Sequence, residues 1–168
     1  MKGLAHAVAA FLAFALPAPA AAEEEQAGGW LLRSETSASD GRTLVIATQR
    51  AVGAAGSEPT YLTVRCIAGR TEFFAGTAGD WGTPRRPLKV SWRVGRDLEG
   101  ESSWDVSTNG KAAFLSGDVP AFLRSLPEDA ALTIGVVDPS GQRQETAFPL
   151  AGLSAVRART AAACGWTP

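Results

Sequence analysis

The stretch LKVSWRV at residues 88–94 alternates without a break between apolar and polar side chains. Leucine, valine, tryptophan and valine occupy positions 88, 90, 92 and 94, with lysine, serine and arginine between them. Because successive side chains of a β-strand point to opposite faces, this pattern predicts a strand with one buried face. Further on, SSWDVS (102–107) and KAAFL (111–115) flank Asn109-Gly110, and Asn-Gly is the strongest short signal for a β-hairpin. The centre of the chain therefore predicts antiparallel strands.

Similar strand-like runs, separated by turn residues, continue in both directions from this centre. They cover residues 30–37, 43–50, 60–67, 70–78, 88–94, 102–107, 111–115, 131–137 and 143–150. Eight or nine strands joined by hairpins predict a mainly β protein, folded as an antiparallel β-sandwich or an open barrel. A chain of 168 residues without an internal repeat or linker predicts one such domain, which we place at residues 30–168.

Two short helices are predicted beside the strands. Asp118 is placed to cap the first, which has Pro120 in its first turn and is ended by Pro127. The second is C-terminal and covers residues 152–164, where apolar residues and Cys164 recur at spacings of three and four.

The first 22 residues have the features of a secretory signal peptide. Lys2 provides the positive start, residues 4–16 are apolar, and small residues at 20–22 form the cleavage site. The apolar run is too short for a membrane span, so we expect a periplasmic, exported protein that does not cross the membrane. Residues 23–29, which begin Glu-Glu-Glu, are predicted to be a flexible acidic leader.

Cleavage would also remove the single histidine, His6. Nucleophilic sites that use histidine as a base, and zinc sites that use it as a ligand, are then excluded. We therefore expect no enzyme of those classes, no metal and no cofactor. A net charge of −1 also argues against nucleic acid as a partner.

Two cysteines, Cys66 and Cys164, are present. An even count in an exported chain predicts one disulfide. Cys66 falls on the apolar face of its predicted strand and Cys164 on the buried stripe of the C-terminal helix, so the bridge would join the helix to the sheet.

Several segments together carry a resemblance to a known family. They are the Trp30 strand, Leu62-Thr63-Val64-Arg65-Cys66, Val90-Ser91-Trp92-Arg93-Val94, Trp104-Asp105-Val106-Ser107-Thr108, Phe122-Leu123-Arg124-Ser125-Leu126 and Ala163-Cys164-Gly165-Trp166. In this order they resemble the VasI/TagO family of exported proteins associated with type VI secretion, although Gly95 stands where the family tends to have an acidic residue. The resemblance implies export and association with a contractile secretion apparatus, and it implies no catalytic residues.

Four carboxylates, Asp97, Glu99, Glu101 and Asp105, are the best enzymatic candidates. A pair of them could hydrolyse a glycan such as peptidoglycan, one acting as acid and the other as nucleophile or base. The alternative is solvated charge, since residues 97–101 are predicted to form a glycine-containing hairpin tip.

A surface for a partner is predicted around the loop that contains Trp81, Arg85 and Arg86, together with Arg93. Arginine and tryptophan are enriched where proteins bind partners. The alternative is a solvated loop, with Arg93 paired to a carboxylate across strands. We therefore expect a non-enzymatic accessory protein that binds an envelope protein or cell-wall glycan. The other hypotheses are a histidine-free peptidoglycan hydrolase and a structural or inhibitory envelope protein unrelated to secretion.

Overall fold

The structure, a computed structural model, describes residues 22–51, 54, 56, 58–83, 86–96, 98–138 and 140–168. Residues 1–21 of the predicted signal peptide, together with Arg85 and Asp97, lie outside the described residues. Within the described ranges, no helix is both long and apolar enough to cross a membrane.

The described residues form ten strands and two helices. In chain order they are β1 (Glu23–Ala27), β2 (Trp30–Thr36), β3 (Thr43–Arg50), β4 (Pro59–Ile67), β5 (Arg70–Thr77), β6 (Pro87–Val94), β7 (Leu98–Val106), β8 (Ala112–Leu115), α1 (Val119–Ser125), β9 (Ala131–Val137), β10 (Arg143–Pro149) and α2 (Leu153–Cys164).

All ten strands belong to one antiparallel sheet with the order β1-β2-β3-β4-β5-β8-β7-β6-β9-β10. β1 and β10 are the two free edges, so the sheet is open rather than closed into a barrel. The sheet folds over on itself, because β4 contacts β9 and β10 across the core although several strands separate them in the sheet order. The predicted fold class, an antiparallel sandwich or open barrel with two helices, is confirmed.

The core lies between the two halves of the folded sheet. The apolar positions of the alternating strands point into it, as predicted for Val90 and Val94 of β6, which are buried. Trp30, Phe73, Trp104 and Phe148 are the largest side chains that are fully buried there. β8 has four residues and pairs with β5 and β7 over three positions each. Phe122 of α1 contacts the Phe73 ring from one half and the Trp92 ring from the other.

Both helices follow the predictions. Asp118 caps α1, accepting a hydrogen bond from the backbone N–H of Ala121 at 2.9 Å. α2 buries Val156 and Thr160 and is joined to β4 by the disulfide between Cys66 and Cys164, whose Cα atoms are 5.7 Å apart. The predicted bridge is therefore confirmed, and it holds the C-terminal helix on the sheet.

The prediction of a flexible acidic leader is wrong for Glu23–Ala27, which forms the edge strand β1. Its carboxylates have partners in the fold, because Arg159 of α2 binds Glu25 at 2.8 Å and Glu23 at 3.2 Å. The turn that follows packs closely on the start of α2, since a Cβ added to Gly28 would overlap the backbone of Ala151. Two of the three glutamates in this strand, Glu23 and Glu25, are thus paired with a helix of the fold.

Candidate functional site

The predicted surface around Trp81 does not form as expected. Trp81 is 3 % exposed and packs in the core, so its side chain is not available to stack on a partner. Its backbone N–H donates to the carbonyl of Gly110 at 2.9 Å, which holds the loop against the β7–β8 turn. Arg86 is exposed directly before β6, and Arg85 lies outside the described residues. Trp81 is a core residue because the loop folds inward at this point.

The other tryptophans also make no exposed platform. Trp30 and Trp104 are fully buried, and Trp92 and Trp166 are half-buried. The indole N–H of Trp166 donates to Thr71 Oγ1 at 2.8 Å, which secures the C-terminal segment to β5. These side chains stabilise the fold.

Arg93, in contrast, lines a cleft of about 350 Å³ on the outer face of β6, β7, β9 and β10. We call it the Gly135 cleft, after the glycine in β9. It is lined by Ser91, Trp92, Arg93, Glu99, Gly100, Thr133, Gly135, Arg143 and Glu145.

Gly135 keeps the cleft open. A Cβ added at this position would come within 2.5 Å of Ser91 Oγ and 3.2 Å of Glu145 Cγ. Ser91 instead donates from Oγ to the carbonyl oxygen of Gly135 at 3.3 Å. A glycine inside a strand often marks a place where another group approaches the backbone closely. Here it leaves space on the outer face of β9 between the side chains of Ser91 and Glu145.

The turn between β9 and β10 sets the register of the cleft walls. Asp138 accepts hydrogen bonds from the hydroxyl of Ser140 at 2.6 Å and from the backbone N–H of Gln142 at 2.9 Å. These bonds hold the pKa of Asp138 below its ordinary value, and the bond from the Ser140 hydroxyl has the largest effect. The turn therefore pairs Glu145 with Gly135.

Two of the four charged side chains in the cleft form a salt bridge with each other, and the other two do not. Arg143 and Glu145 form an ion pair at 2.6 Å, and Arg143 Nη2 also donates to Ser91 Oγ at 3.1 Å. Arg93 and Glu99 face each other in register across β6 and β7. Among the described residues, neither of these two side chains has a salt-bridge partner. The cleft thus has one guanidinium and one carboxylate that form no salt bridge with the described residues.

The predicted carboxylate cluster is distributed along the outer face of β7. Glu99, Glu101 and Asp105 are exposed strand residues, so the prediction of a hairpin tip over residues 97–101 is wrong from Leu98 onward. Glu101 binds Lys89 at 3.1 Å, and Asp105 accepts a hydrogen bond from Ser116 Oγ at 3.1 Å. A glycosidase needs one carboxyl group held protonated in an apolar pocket. Glu99, Glu101 and Asp105 are all exposed on the outer face of β7, so none of the three lies in such a pocket.

Sequence reasoning identified Arg93 and Glu99 but not Gly135, Arg143 or Glu145. The isolated glycine in LTIGVV (132–137) was the available signal for a close approach. The arginine and glutamate of β10 alternate like any exposed strand face, so nothing local distinguished them.

No protein-family model matches the sequence, and the comparison with curated proteins finds no match. The structure is similar to the crystal structure of invasion-associated protein B from Bartonella henselae. The TM-score is 0.50 and the sequence identity 13 %, over 83 % of this chain and 95 % of that one. At this identity the likeness supports a common fold, and it does not assign a function.

Proposed function

We propose that this chain is an exported, non-enzymatic binding protein whose Gly135 cleft takes an amphoteric ligand. Such a ligand has a carboxylate and an ammonium group close together, as the peptide part of a bacterial cell wall does. The observation that carries the proposal is the Arg93–Glu99 pair. The two side chains are opposed in register, lack salt-bridge partners among the described residues, and line a cleft that Gly135 keeps open.

The chemistry of the walls supports this class of ligand. A guanidinium binds a carboxylate with two parallel hydrogen bonds, and a carboxylate accepts from an ammonium. Cross-strand neighbours have Cβ atoms roughly 5 Å apart, so the two charges of the ligand would also be close. Ser91 and Thr133 add hydroxyl groups to the same cleft. Four ionisable side chains line it, which favours a charged ligand over a neutral glycan.

Two further features support an envelope protein. The Cys66–Cys164 bridge suits an oxidising compartment, and the first 22 residues have the pattern of a signal peptide. Association with a type VI secretion apparatus, implied by the resemblance to the VasI/TagO family, stays a prediction. Co-purification of sheath or baseplate components with the exported protein would support it.

The binding test compares matched substitutions on the same strands. Peptide fragments released from peptidoglycan are titrated into the exported protein by calorimetry, with chitin oligomers as the neutral glycan. Glu99→Gln is expected to weaken peptide binding about tenfold, about 1.4 kcal/mol, near the lower limit for a hydrogen bond to a charged group. Glu101→Gln is the control, because Glu101 lies two residues along the same face outside the cleft.

The same titration is repeated with Arg93→Ala, and Lys89→Ala is the control variant on the same strand, β6. We expect Arg93→Ala to weaken binding as Glu99→Gln does, and Lys89→Ala to have little effect. Equal losses for the cleft and control variants would refute the proposal. Preference for the chitin oligomers, or turnover of peptidoglycan that Glu99→Gln abolishes, would refute it as well.

A further inference from the structure

A second cleft, of about 540 Å³, lies on the outer face of the sheet where β5, β8 and β7 meet. Its lining residues include Arg65, Arg70, Glu72, Asp105 and Phe114, and we call it the Phe114 cleft. It shares no lining residue with the Gly135 cleft. Its volume falls within the range of small-molecule sites, which runs from about 300 to 1,000 Å³.

The floor of this cleft is aromatic. Phe114 is half-buried, and its ring centroid lies 4.5 Å from that of Phe74 on β5. The guanidinium carbon of Arg65 is 5.2 Å from the centroid of Phe74 and 5.6 Å from that of Phe114. A guanidinium at this distance from aromatic rings is held by cation–π attraction. The floor therefore has both an apolar ring and a positioned cation.

One wall has a surplus of positive charge. Glu72, with its side chain 12 % exposed, accepts hydrogen bonds from Arg65 Nε at 2.6 Å and from Arg70 Nη2 at 2.5 Å. Two guanidinium groups thus share one carboxylate. Arg70 is 78 % exposed, and a guanidinium has five N–H donors. Most of those on Arg70 remain available to an anion in the cleft.

The opposite wall has a carboxylate, which accepts hydrogen bonds, and two hydroxyl groups, which both donate and accept them. Asp105 is exposed on β7, opposite Phe114 in register, and Ser107 and Thr108 extend this wall. β5 and β7 lie on either side of β8, so about two strand spacings, roughly 10 Å, separate the walls. A single sugar ring with its substituents can bridge that separation.

We infer that the Phe114 cleft binds an acidic saccharide unit. Its carboxylate lies against Arg65 and Arg70, the apolar face of its ring stacks on Phe114, and its hydroxyl groups donate to Asp105. A neutral sugar has no group that pairs with the exposed guanidinium of Arg70, which shares Glu72 with Arg65. A small anion makes no use of the aromatic floor or of Asp105. The inference does not rest on the proposed function, because the two clefts have separate linings.

In the test, glucuronic acid, glucose and acetate are each titrated into the exported protein. Binding is monitored by the NMR chemical shifts of its backbone amides. Glucuronic acid is expected to shift amides of β5 and β8 and to bind about fivefold more tightly, or better, than glucose or acetate. Equal binding of glucose would overturn the assignment of an acidic ligand. Equal binding of acetate would overturn the assignment of a saccharide.

Arg70→Ala provides the matched variant. Because this side chain is mostly exposed, its loss leaves the core intact, and a thermal melt verifies that. Arg33→Ala is the control, since Arg33 is 65 % exposed and paired with Glu24 at 2.8 Å outside the cleft. We expect Arg70→Ala to weaken glucuronic acid binding about fivefold and Arg33→Ala to leave it unchanged. Equal losses of glucuronic acid affinity in the two variants would refute the site, because they would indicate general electrostatic attraction. This outcome is independent of the effects of Arg93→Ala and Glu99→Gln on peptide binding.

Discussion

The disulfide between Cys66 and Cys164 is expected to provide a large part of the stability of this fold. Its ends are 98 residues apart, so the chain-entropy model gives a loss of about 16 cal/mol/K in the unfolded state, about 4.7 kcal/mol at 25 °C. A small domain is stable by about 5–15 kcal/mol in total. Reduction of this single bridge therefore removes roughly 30 % or more of that stability.

Urea unfolding, followed by tryptophan fluorescence with and without a thiol reductant, measures this effect. With an m-value of about 2 kcal/mol/M, the predicted loss lowers the midpoint by about 2 M. Reduction is a cleaner perturbation than replacement by alanine, because Cys66 is fully buried and alanine would leave a cavity beside α2. A midpoint that falls by less than about 0.5 M would refute the reasoning that the bridge acts by restricting the unfolded chain.

Two further substitutions test the start of the domain and its behaviour in acid. Gly28→Ala is expected to destabilise the protein by about 2 kcal/mol or more, because φ is +56° and the new Cβ would overlap the backbone of Ala151. Glu128 accepts hydrogen bonds from the Ser154 hydroxyl at 3.0 Å and from the Gly152 N–H at 2.9 Å. Both bonds lower the pKa of Glu128, and the bond from the hydroxyl has the larger effect. A lowered folded pKa gives stability that is present above the unfolded value and lost as pH falls through the folded value. Glu128→Gln should therefore reduce the loss of stability below about pH 4.5.

Each of these predictions has an internal control. Gly41→Ala is the control for Gly28→Ala. Gly41 has a φ of +68° and no atom within 4 Å of an added Cβ, so this variant measures backbone strain alone. Equal urea midpoints for the two alanine variants would contradict the docking of the β1–β2 turn on α2. Thermal melts from pH 7 to pH 3 measure the effect of Glu128→Gln. Parallel pH profiles for this variant and the unsubstituted chain would contradict the role of its carboxylate.

Local patterns predicted most of the secondary structure. Residues 88–94 alternate because one face of β6 packs in the core, and the structure extends that strand by one residue, to Pro87–Val94. Asp118 with Pro120 predicted α1 because capping and a fixed φ act within one turn. The same reasoning was wrong for Glu23–Ala27, since the Arg159 that pairs with Glu23 and Glu25 is more than 130 residues away in the chain.

Nine of the ten strands, both helices and the cysteine pair could be predicted from the amino-acid sequence, because each depends on residues a few positions apart or on a count. Which side chains meet on the outer face of the sheet depends on the tertiary structure. Ser91 and Arg143 are 52 residues apart, yet they form a hydrogen bond in the Gly135 cleft. Trp81 looks like a surface residue beside its glycines and prolines, yet the loop turns it into the core. Such outcomes depend on which strands become neighbours, and no local pattern contains that information.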